Sequence, residues 1–117
     1  MSKNPAPYLT IAAESLSKIL ADRPDSEEAL TANGLLWDAT LMRVQVAGEN
    51  LVKIRDQFPD FYAEHHDENW HKLIAMRNII SHAYSDVDPA ILWRVIVDHL
   101  EDVRARMLEL ASVISGG

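Results

Sequence analysis

The chain has 117 residues, of which 48% are apolar and none is cysteine, and its formal net charge is −7 at pH 7. This length suits one globular domain, residues 1–117, and the apolar content excludes a disordered chain. Without cysteine there can be no disulfide framework and no thiolate site. Neither a run of eighteen apolar residues nor an apolar leader segment is present, so we expect a cytoplasmic protein that does not enter membranes.

The charge balance limits how the chain can bind nucleic acid. Eleven Lys and Arg are spread along the chain, against eighteen Asp and Glu. A protein that follows a long phosphate backbone needs many cations on one face. We therefore expect no extended binding of duplex DNA. A short, local site that grips one or two phosphates fits the composition.

Helical periodicity dominates the first half of the chain. Apolar residues recur at three- and four-residue steps from residue 8 to about 23, which predicts an amphipathic helix that Pro24 ends. Asp25 or Ser26 can cap a short helix after it. A second long helix is predicted from residue 35 to about 58. Its predicted buried side consists of Leu35, Ala39, Met42, Val46, Leu51, Ile54 and Phe58.

The second half of the chain begins with a polar stretch, residues 59–69, which is predicted to form a loop. A third long helix is predicted from about residue 68 to 84. Asp88 and Pro89 then mark a helix start, with aspartate as the cap and proline at the first position. This last helix is predicted to run to about residue 114, with His99 on its surface. Strand signals are absent, so the predicted fold is all-α, an up-and-down bundle of four long helices and one short helix.

Two residues inside the second long helix have two readings each. Gly48 costs about 1 kcal/mol relative to alanine in a helix interior. It is either a tolerated glycine or a position where another backbone approaches closely. Glu49 is either a solvated surface charge or the partner of an arginine near the functional site.

The most informative stretch is residues 76–88, which carries Arg77, Asn78, His82 and Tyr84 on about two helical turns. Arginine clamps phosphate and histidine exchanges protons near pH 7, and neither chemistry needs a metal or a cofactor. The structural alternative is a polar cluster in a helical core, in which Arg77 pairs with an acidic residue.

The spacing of these residues restricts how they can act together. On an ideal helix Arg77 and Tyr84 lie within about 20° of the same face, whereas Arg77 and His82 lie about 140° apart. One straight helix therefore does not bring all three side chains together. Either the helix ends or tightens near His82, or two protomers share the site.

Arg77-Asn78 followed by His82-x-Tyr84 resembles the R-x4-H-x-Y signature of HEPN domains, specifically the HepT-like toxins of prokaryotic toxin–antitoxin pairs. Outside the signature the similarity extends over nearly the whole chain, and it includes Trp70, Trp93, residues 8–9 and residues 47–50.

The sequence departs from the family pattern at three places. Thr10 stands where the family usually has aspartate, and Asn50 stands where alanine is usual. The stretch between Pro59 and Trp70 is also longer than usual.

The resemblance implies a metal-independent endoribonuclease with RNA as its substrate, acting as a homodimer whose signature helices face each other. It implies that His82 exchanges protons with the 2′-hydroxyl or the leaving 5′-oxygen, that Arg77 holds the phosphate, and that Asn78 and Tyr84 assist. It also favours a pair between Glu49 and an arginine near the site.

The resemblance further implies a partner, a small nucleotidyltransferase antitoxin of the MNT type that transfers AMP onto Tyr84. The structural alternative is that Tyr84 packs its ring in the bundle with its hydroxyl satisfied.

Two other hypotheses compete with the ribonuclease. The chain can be a non-catalytic HEPN module that binds a nucleotide or a partner protein, which the acidic charge favours. It can also be a metal-dependent hydrolase that uses the histidines between His65 and His71, although no H-E-x-x-H or similar ligand pattern is present. The predicted site therefore contains no metal ligand.

Overall fold

The computed structural model describes residues 3–116, and no strand occurs in that range. This part of the chain contains seven α-helices: α1 (Ala6–Asp22), α2 (Glu27–Ala32), α3 (Gly34–Gln57), α4 (Pro59–His65), α5 (Glu68–His82), α6 (Pro89–Asp98) and α7 (Leu100–Gly116). A 3-10 turn, Tyr84–Asp86, lies between α5 and α6. The all-α helical bundle predicted from the sequence is confirmed. None of the helices within residues 3–116 combines the length and the apolar character needed to cross a membrane.

The first helix, α1, packs against both α3 and α7, and α3 in turn packs against α5. The helices α1 and α3 are antiparallel, because Tyr8 donates to the side chain of Gln57 at 3.1 Å while Ser15 donates to the carbonyl of Arg43 at 2.8 Å. The four longest helices all contribute to one core. Side chains exposed by 1% or less include Leu9, Leu16, Leu41, Leu51, Trp70, Leu73 and Met107.

Several helix starts follow the predicted capping residues. The Ser26 hydroxyl accepts a hydrogen bond from the backbone N–H of Ala29 at 3.1 Å, which confirms Ser26 as the cap of α2. Asp88 accepts from the N–H of Ala90 at 2.9 Å, with Pro89 at the first position of α6. Asn33 caps α3 in the same way.

The loop predicted for residues 59–69 is wrong in its first part, because residues 59–65 form α4. Pro59 occupies the first turn of α4, where its missing N–H leaves no hydrogen bond unmade. The Tyr62 ring is 6% exposed and ties this short helix to the core. Polar composition therefore concealed a helix that burial of one aromatic side chain stabilises.

The last predicted helix is broken at His99 into α6 and α7, so the bundle has more, shorter helices than predicted. The backbone of His99 has φ −130° and ψ −27°, which departs from helical values. The His99 side chain is half-buried, so it is less exposed than predicted. No glycine or proline lies at the break, and apolar residues recur at helical spacing on both sides of it. The sequence therefore did not predict the break.

The third predicted helix ends at His82, two residues before the predicted end. The buried side of α3 also differs from the prediction: Leu35 is 86% exposed and Met42 is 59% exposed. Thr40, Leu41, Val44, Ala47 and Gly48 are buried instead. Both sets recur at three- and four-residue steps, so periodicity alone could not choose between them.

Candidate functional site

The start of α5 is fixed by one aspartate that contacts two elements. One carboxylate oxygen of Asp67 accepts hydrogen bonds from the N–H groups of Asn69 and Trp70 at 2.9 and 3.1 Å. Its other oxygen pairs with Arg106 of α7 at 3.0 Å. The core side of α5 consists of Trp70, Leu73, Ile74, Met76 and Ile80. These contacts fix the axis of the helix that carries the signature residues.

A glycine lets α3 approach α5 beside Arg77. Gly48 is buried, and a Cβ atom added there would lie only 2.9 Å from the carbonyl oxygen of Leu73 and would also overlap the Cβ of Arg77. Real Cβ atoms essentially never come this close to backbone atoms. Of the two readings of Gly48, the structure therefore supports the close approach of another backbone.

The close approach brings Glu49 of α3 onto the guanidinium of Arg77. Arg77 Nε donates to Glu49 Oε2 at 2.8 Å, and Arg77 Nη2 donates to Glu49 Oε1 at 2.9 Å. The third nitrogen, Nη1, donates to Asn78 Oδ1 at 2.8 Å. The pairing of Glu49 with an arginine near the site is thus confirmed. Planar bidentate pairs of this kind fix the orientation of the guanidinium as well as its position.

The pair changes the titration of both groups. The hydrogen bond from Arg77 lowers the pKa of Glu49 below its usual range, and the same hydrogen bond raises the pKa of Arg77. Both side chains remain partly exposed, at 24% for Arg77 and 43% for Glu49. A guanidinium has five N–H donors, so two remain for a ligand after these three contacts.

His82 is the last residue of α5 and is exposed to solvent. The N–H of Ala83 donates to the carbonyl of Ile79 at 2.7 Å, which closes the helix directly after the histidine. Because α5 is helical from Arg77 to His82, the two side chains leave the axis about 140° apart. Within residues 3–116 no hydrogen bond joins Arg77 to His82.

Tyr84 lies outside α5, in the 3-10 turn that follows it, and is 48% exposed. Its hydroxyl donates a hydrogen bond to the carboxylate of Asp38, near the start of α3. This hydrogen bond raises the pKa of Tyr84. The Tyr84 hydroxyl therefore has a partner in the fold, while half of the side chain faces solvent.

Three polar residues of α3 contact the signature region in antiparallel order. Asp38 contacts Tyr84, Gln45 Nε2 donates to the hydroxyl of Ser81 at 3.5 Å, and Glu49 contacts Arg77. We call this set of contacts the α3–α5 seam. Asp38 and Gln45 were not predicted from the sequence. Their separation from Glu49 by eleven and four residues places all three near one face of α3, which is the signal that could have identified them.

Two histidines near the start of α5, His66 and His71, form an aromatic group with Tyr62. The ring of His66 stacks on Tyr62 with centroids 4.8 Å apart, and His71 meets His66 edge-on at the same distance. Burial raises the pKa of Tyr62. Among residues 3–116 no group of three or more His, Asp or Glu side chains is arranged to hold a metal ion. This geometry gives no support to a metal site between His65 and His71.

The part of the chain that contains the candidate site matches a known protein family. The family model described as Ribonuclease HepT-like matches residues 9–110, which include α3, α5 and the whole α3–α5 seam. No solved structure matches the chain significantly.

Proposed function

Because the chain belongs to the HepT-like ribonuclease family, we propose that it is the toxin of a toxin–antitoxin pair and cleaves RNA without a metal ion. The observation that carries this proposal is the Arg77 guanidinium. It is held by Glu49 and Asn78 with two N–H donors left, five residues before an exposed imidazole.

The reaction proceeds through the 2′-hydroxyl of RNA. Neutral His82 accepts the 2′-hydroxyl proton while the 2′-oxygen attacks the neighbouring phosphorus. The bond from phosphorus to the 5′-oxygen breaks, and an imidazolium returns a proton to that oxygen. The products are a 2′,3′-cyclic phosphate and a free 5′-hydroxyl. Arg77 stabilises the negative charge that builds up on the phosphate oxygens in the transition state.

A homodimer explains how Arg77 and His82 act on one phosphate. The two side chains leave α5 about 140° apart, so a second protomer is needed to bring an imidazole to a bound phosphate. Ile79, between them on α5, is 42% exposed, and Met42 of α3 is 59% exposed. Exposed apolar side chains next to a functional site are typical of an interface. Two facing sites also supply two arginines to a protein whose net charge is −7.

The proposed partner is an MNT-type nucleotidyltransferase that transfers AMP to Tyr84. The hydroxyl of Tyr84 attacks the α-phosphate of ATP, loses its proton, and pyrophosphate leaves. The hydrogen bond from Tyr84 to Asp38 must break for this transfer, and half of the tyrosine is accessible. The new phosphodiester adds a negative charge and a bulky adenosine at the Tyr84 end of the α3–α5 seam, where both oppose the binding of RNA.

The experiment is cleavage of single-stranded RNA in EDTA, with detection of the cyclic phosphate. We expect wild type to cut RNA and to spare DNA of the same sequence, which lacks the 2′-hydroxyl. His82→Ala should lose about 10²- to 10⁴-fold of the rate, the usual contribution of a general acid or base. His71→Ala, a second exposed histidine on α5, is the matched control and should cut at the wild-type rate. If His82→Ala and Arg77→Ala both cut normally, the site is assigned wrongly.

The alternative is a non-catalytic HEPN module that binds a nucleotide or a partner protein. The observation that favours it is the neutralisation of Arg77 by Glu49 in an acidic chain. Such a module cleaves no RNA in EDTA or with added metal. A metal-dependent hydrolase would be active with metal alone, and His71→Ala would then lose activity.

A further inference from the structure

A cleft beside Tyr84 has no role in the mechanism above. It has a volume of about 390 Å³, within the size range of small-ligand sites. Its lining residues come from α2, α3, the segment between α5 and α6, and the first residue of α6: Thr31, Trp37, Tyr84, Ser85, Val87 and Pro89. Two of the six are large aromatic residues, and none carries a charge at neutral pH.

The lining determines which part of a nucleic acid can enter. A phosphate needs a cation or several N–H donors, and the lining offers no Lys or Arg. Aromatic side chains stack on bases, and single-stranded RNA is recognised in this way. The hydroxyls of Thr31 and Ser85 add hydrogen-bonding groups for a base edge. The Thr31 hydroxyl donates to the carbonyls of Glu27 and Glu28 at 3.3 Å, so its oxygen can still accept.

One wall of the cleft is already held in place. The hydrogen bond between Tyr84 and Asp38 fixes the tyrosine to α3, and Trp37 precedes Asp38 in the chain. Trp37 is half-buried and packs against the core. Both rings are thus attached to the same helix turn before any ligand arrives, which lowers the ordering cost of binding.

The cleft is separated from Arg77 along α3. Arg77 is hydrogen-bonded to Glu49 and Tyr84 to Asp38, and these two carboxylates are eleven residues apart on α3, which corresponds to about 16 Å along the helix. A base in the cleft therefore lies beyond the phosphate held by Arg77. We propose that the Trp37–Tyr84 cleft is a subsite for one unpaired base of the RNA substrate, on the Tyr84 side of the scissile phosphate. This subsite rests on the proposed ribonuclease function.

The test combines removal of one base with removal of Trp37. The probe is a fluorescent eight-nucleotide RNA that is 2′-O-methylated throughout, so that it cannot be cut. Eight further probes each lack one base. In wild type, loss of the base that occupies the cleft should weaken binding about 5- to 150-fold. In Trp37→Ala that same loss should have little further effect, because the stacking partner is gone.

Controls separate stacking from folding. Trp93→Ala removes another half-buried tryptophan, one that lines a different cleft, and should keep the wild-type penalty. Trp37→Phe should keep most of it, since a ring remains. If Trp37→Ala does not fold, Ser85→Leu fills the cleft from an exposed position and should abolish the penalty.

The outcomes for the subsite and for the ribonuclease are distinguishable. If Trp37→Ala and Ser85→Leu keep the wild-type penalty, or if no single base matters in wild type, the subsite is wrong. The ribonuclease proposal would survive either result, because it depends on cleavage of unmodified RNA by wild type. The ribonuclease proposal would instead fail in the EDTA assay, if wild type did not cut RNA or if His82→Ala and Arg77→Ala both cut it at the wild-type rate.

Discussion

The two ends of the α3–α5 seam are built differently. At the Arg77 end, a buried glycine allows close contact and the guanidinium has three fixed hydrogen bonds. At the other end α5 has stopped, His82 is exposed, and Tyr84 sits in a 3-10 turn with one hydrogen bond to Asp38.

This difference separates two requirements of phosphate chemistry. A cation that stabilises charge works best when it is already oriented, because no reorganisation is then needed during the reaction. A group that exchanges protons, or a hydroxyl that is to be modified, has to be accessible. The same pair of helices provides rigidity at one end and access at the other.

Among the contacts between α3 and α5, loss of the Arg77 guanidinium should have the largest effect on activity. Arg77→Ala should lower the cleavage rate by about 10² to 10³, the range found for loss of one charge-stabilising donor. Arg77→Lys should recover little of this, because an ammonium cannot make the planar pair with Glu49 and also contact Asn78. Single-turnover rates at saturating RNA measure the effect. Full rescue by lysine would show that only the charge matters at this end.

Filling the space at Gly48 should have the largest effect on stability. In Gly48→Ala the overlap with Leu73 and Arg77 should cost about 1–3 kcal/mol, which exceeds the gain of about 1 kcal/mol from helix propensity. We therefore expect a lower Tm and slower cleavage. The matched control is Gly34→Ala, since nothing lies within 4 Å of a Cβ added there. A Gly48→Ala protein as stable as wild type would refute close packing at this end.

Loss of the Glu49–Arg77 ionic pair, with Arg77 kept, should have an intermediate effect on cleavage. Glu49→Gln leaves Arg77 charged but removes the ionic pair, so RNA cleavage should fall several-fold. The free energy of unfolding should fall by no more than about 1 kcal/mol, as for exposed pairs. Glu101→Gln is the matched control, because Glu101 pairs with Arg104 at 2.6 Å away from the seam. Equal activities of the two variants would show that Glu49 does not orient Arg77.

The pH dependence of the Glu49 pair has a defined sign. Its pKa is lowered in the folded protein, so the pair contributes stability above the ordinary glutamate range and loses it as pH falls through the lowered value. The Tm difference between wild type and Glu49→Gln should thus be constant from pH 5 to 8 and shrink in stronger acid. Thermal unfolding across this range measures it.

Loss of the Tyr84 hydroxyl, at the accessible end of the seam, should have the smallest effect on stability. Hydrogen bonding to Asp38 raises the pKa of Tyr84, so its contribution to stability is complete below the ordinary tyrosine pKa of 10.0 and is lost as pH rises through the raised value. Tyr84→Phe should lower Tm slightly at pH 8, and the difference should vanish or reverse above the raised pKa. The buried Tyr62 also titrates in alkali, but it is present in both proteins and cancels. A constant difference at all pH values would contradict the hydrogen bond.

The Arg77 end was easier to anticipate from sequence than the Tyr84 end. Arg77, His82 and Tyr84 form a compact local pattern, and a glycine inside a helix already suggests a close approach. The partners Asp38 and Trp37 precede Tyr84 by more than forty residues. Only the packing of α3 on α5 brings them to it, and no local signal reports that packing.

The errors in the fold have a similar cause. The capping side chains of Ser26 and Asp88 act locally, and both were predicted as helix caps from the sequence. The break at His99 and the exposure of Met42 depend on how neighbouring helices meet, which periodicity does not record. Residues 59–65 form a helix because Tyr62 reaches the core, a long-range effect in a segment of loop-like composition.

The packing of α1 between α3 and α7 affects how the chain folds during synthesis. α1 leaves the ribosome before either of its two apolar neighbours, and the second of them, α7, begins 78 residues after α1 ends. Until then its side facing α7 has no native partner. α5 likewise lacks the anchor that Arg106 provides to Asp67. The α3–α5 seam is thus complete in sequence before α7 is available, so the contact that fixes the axis of α5 forms only after the last helix has been made.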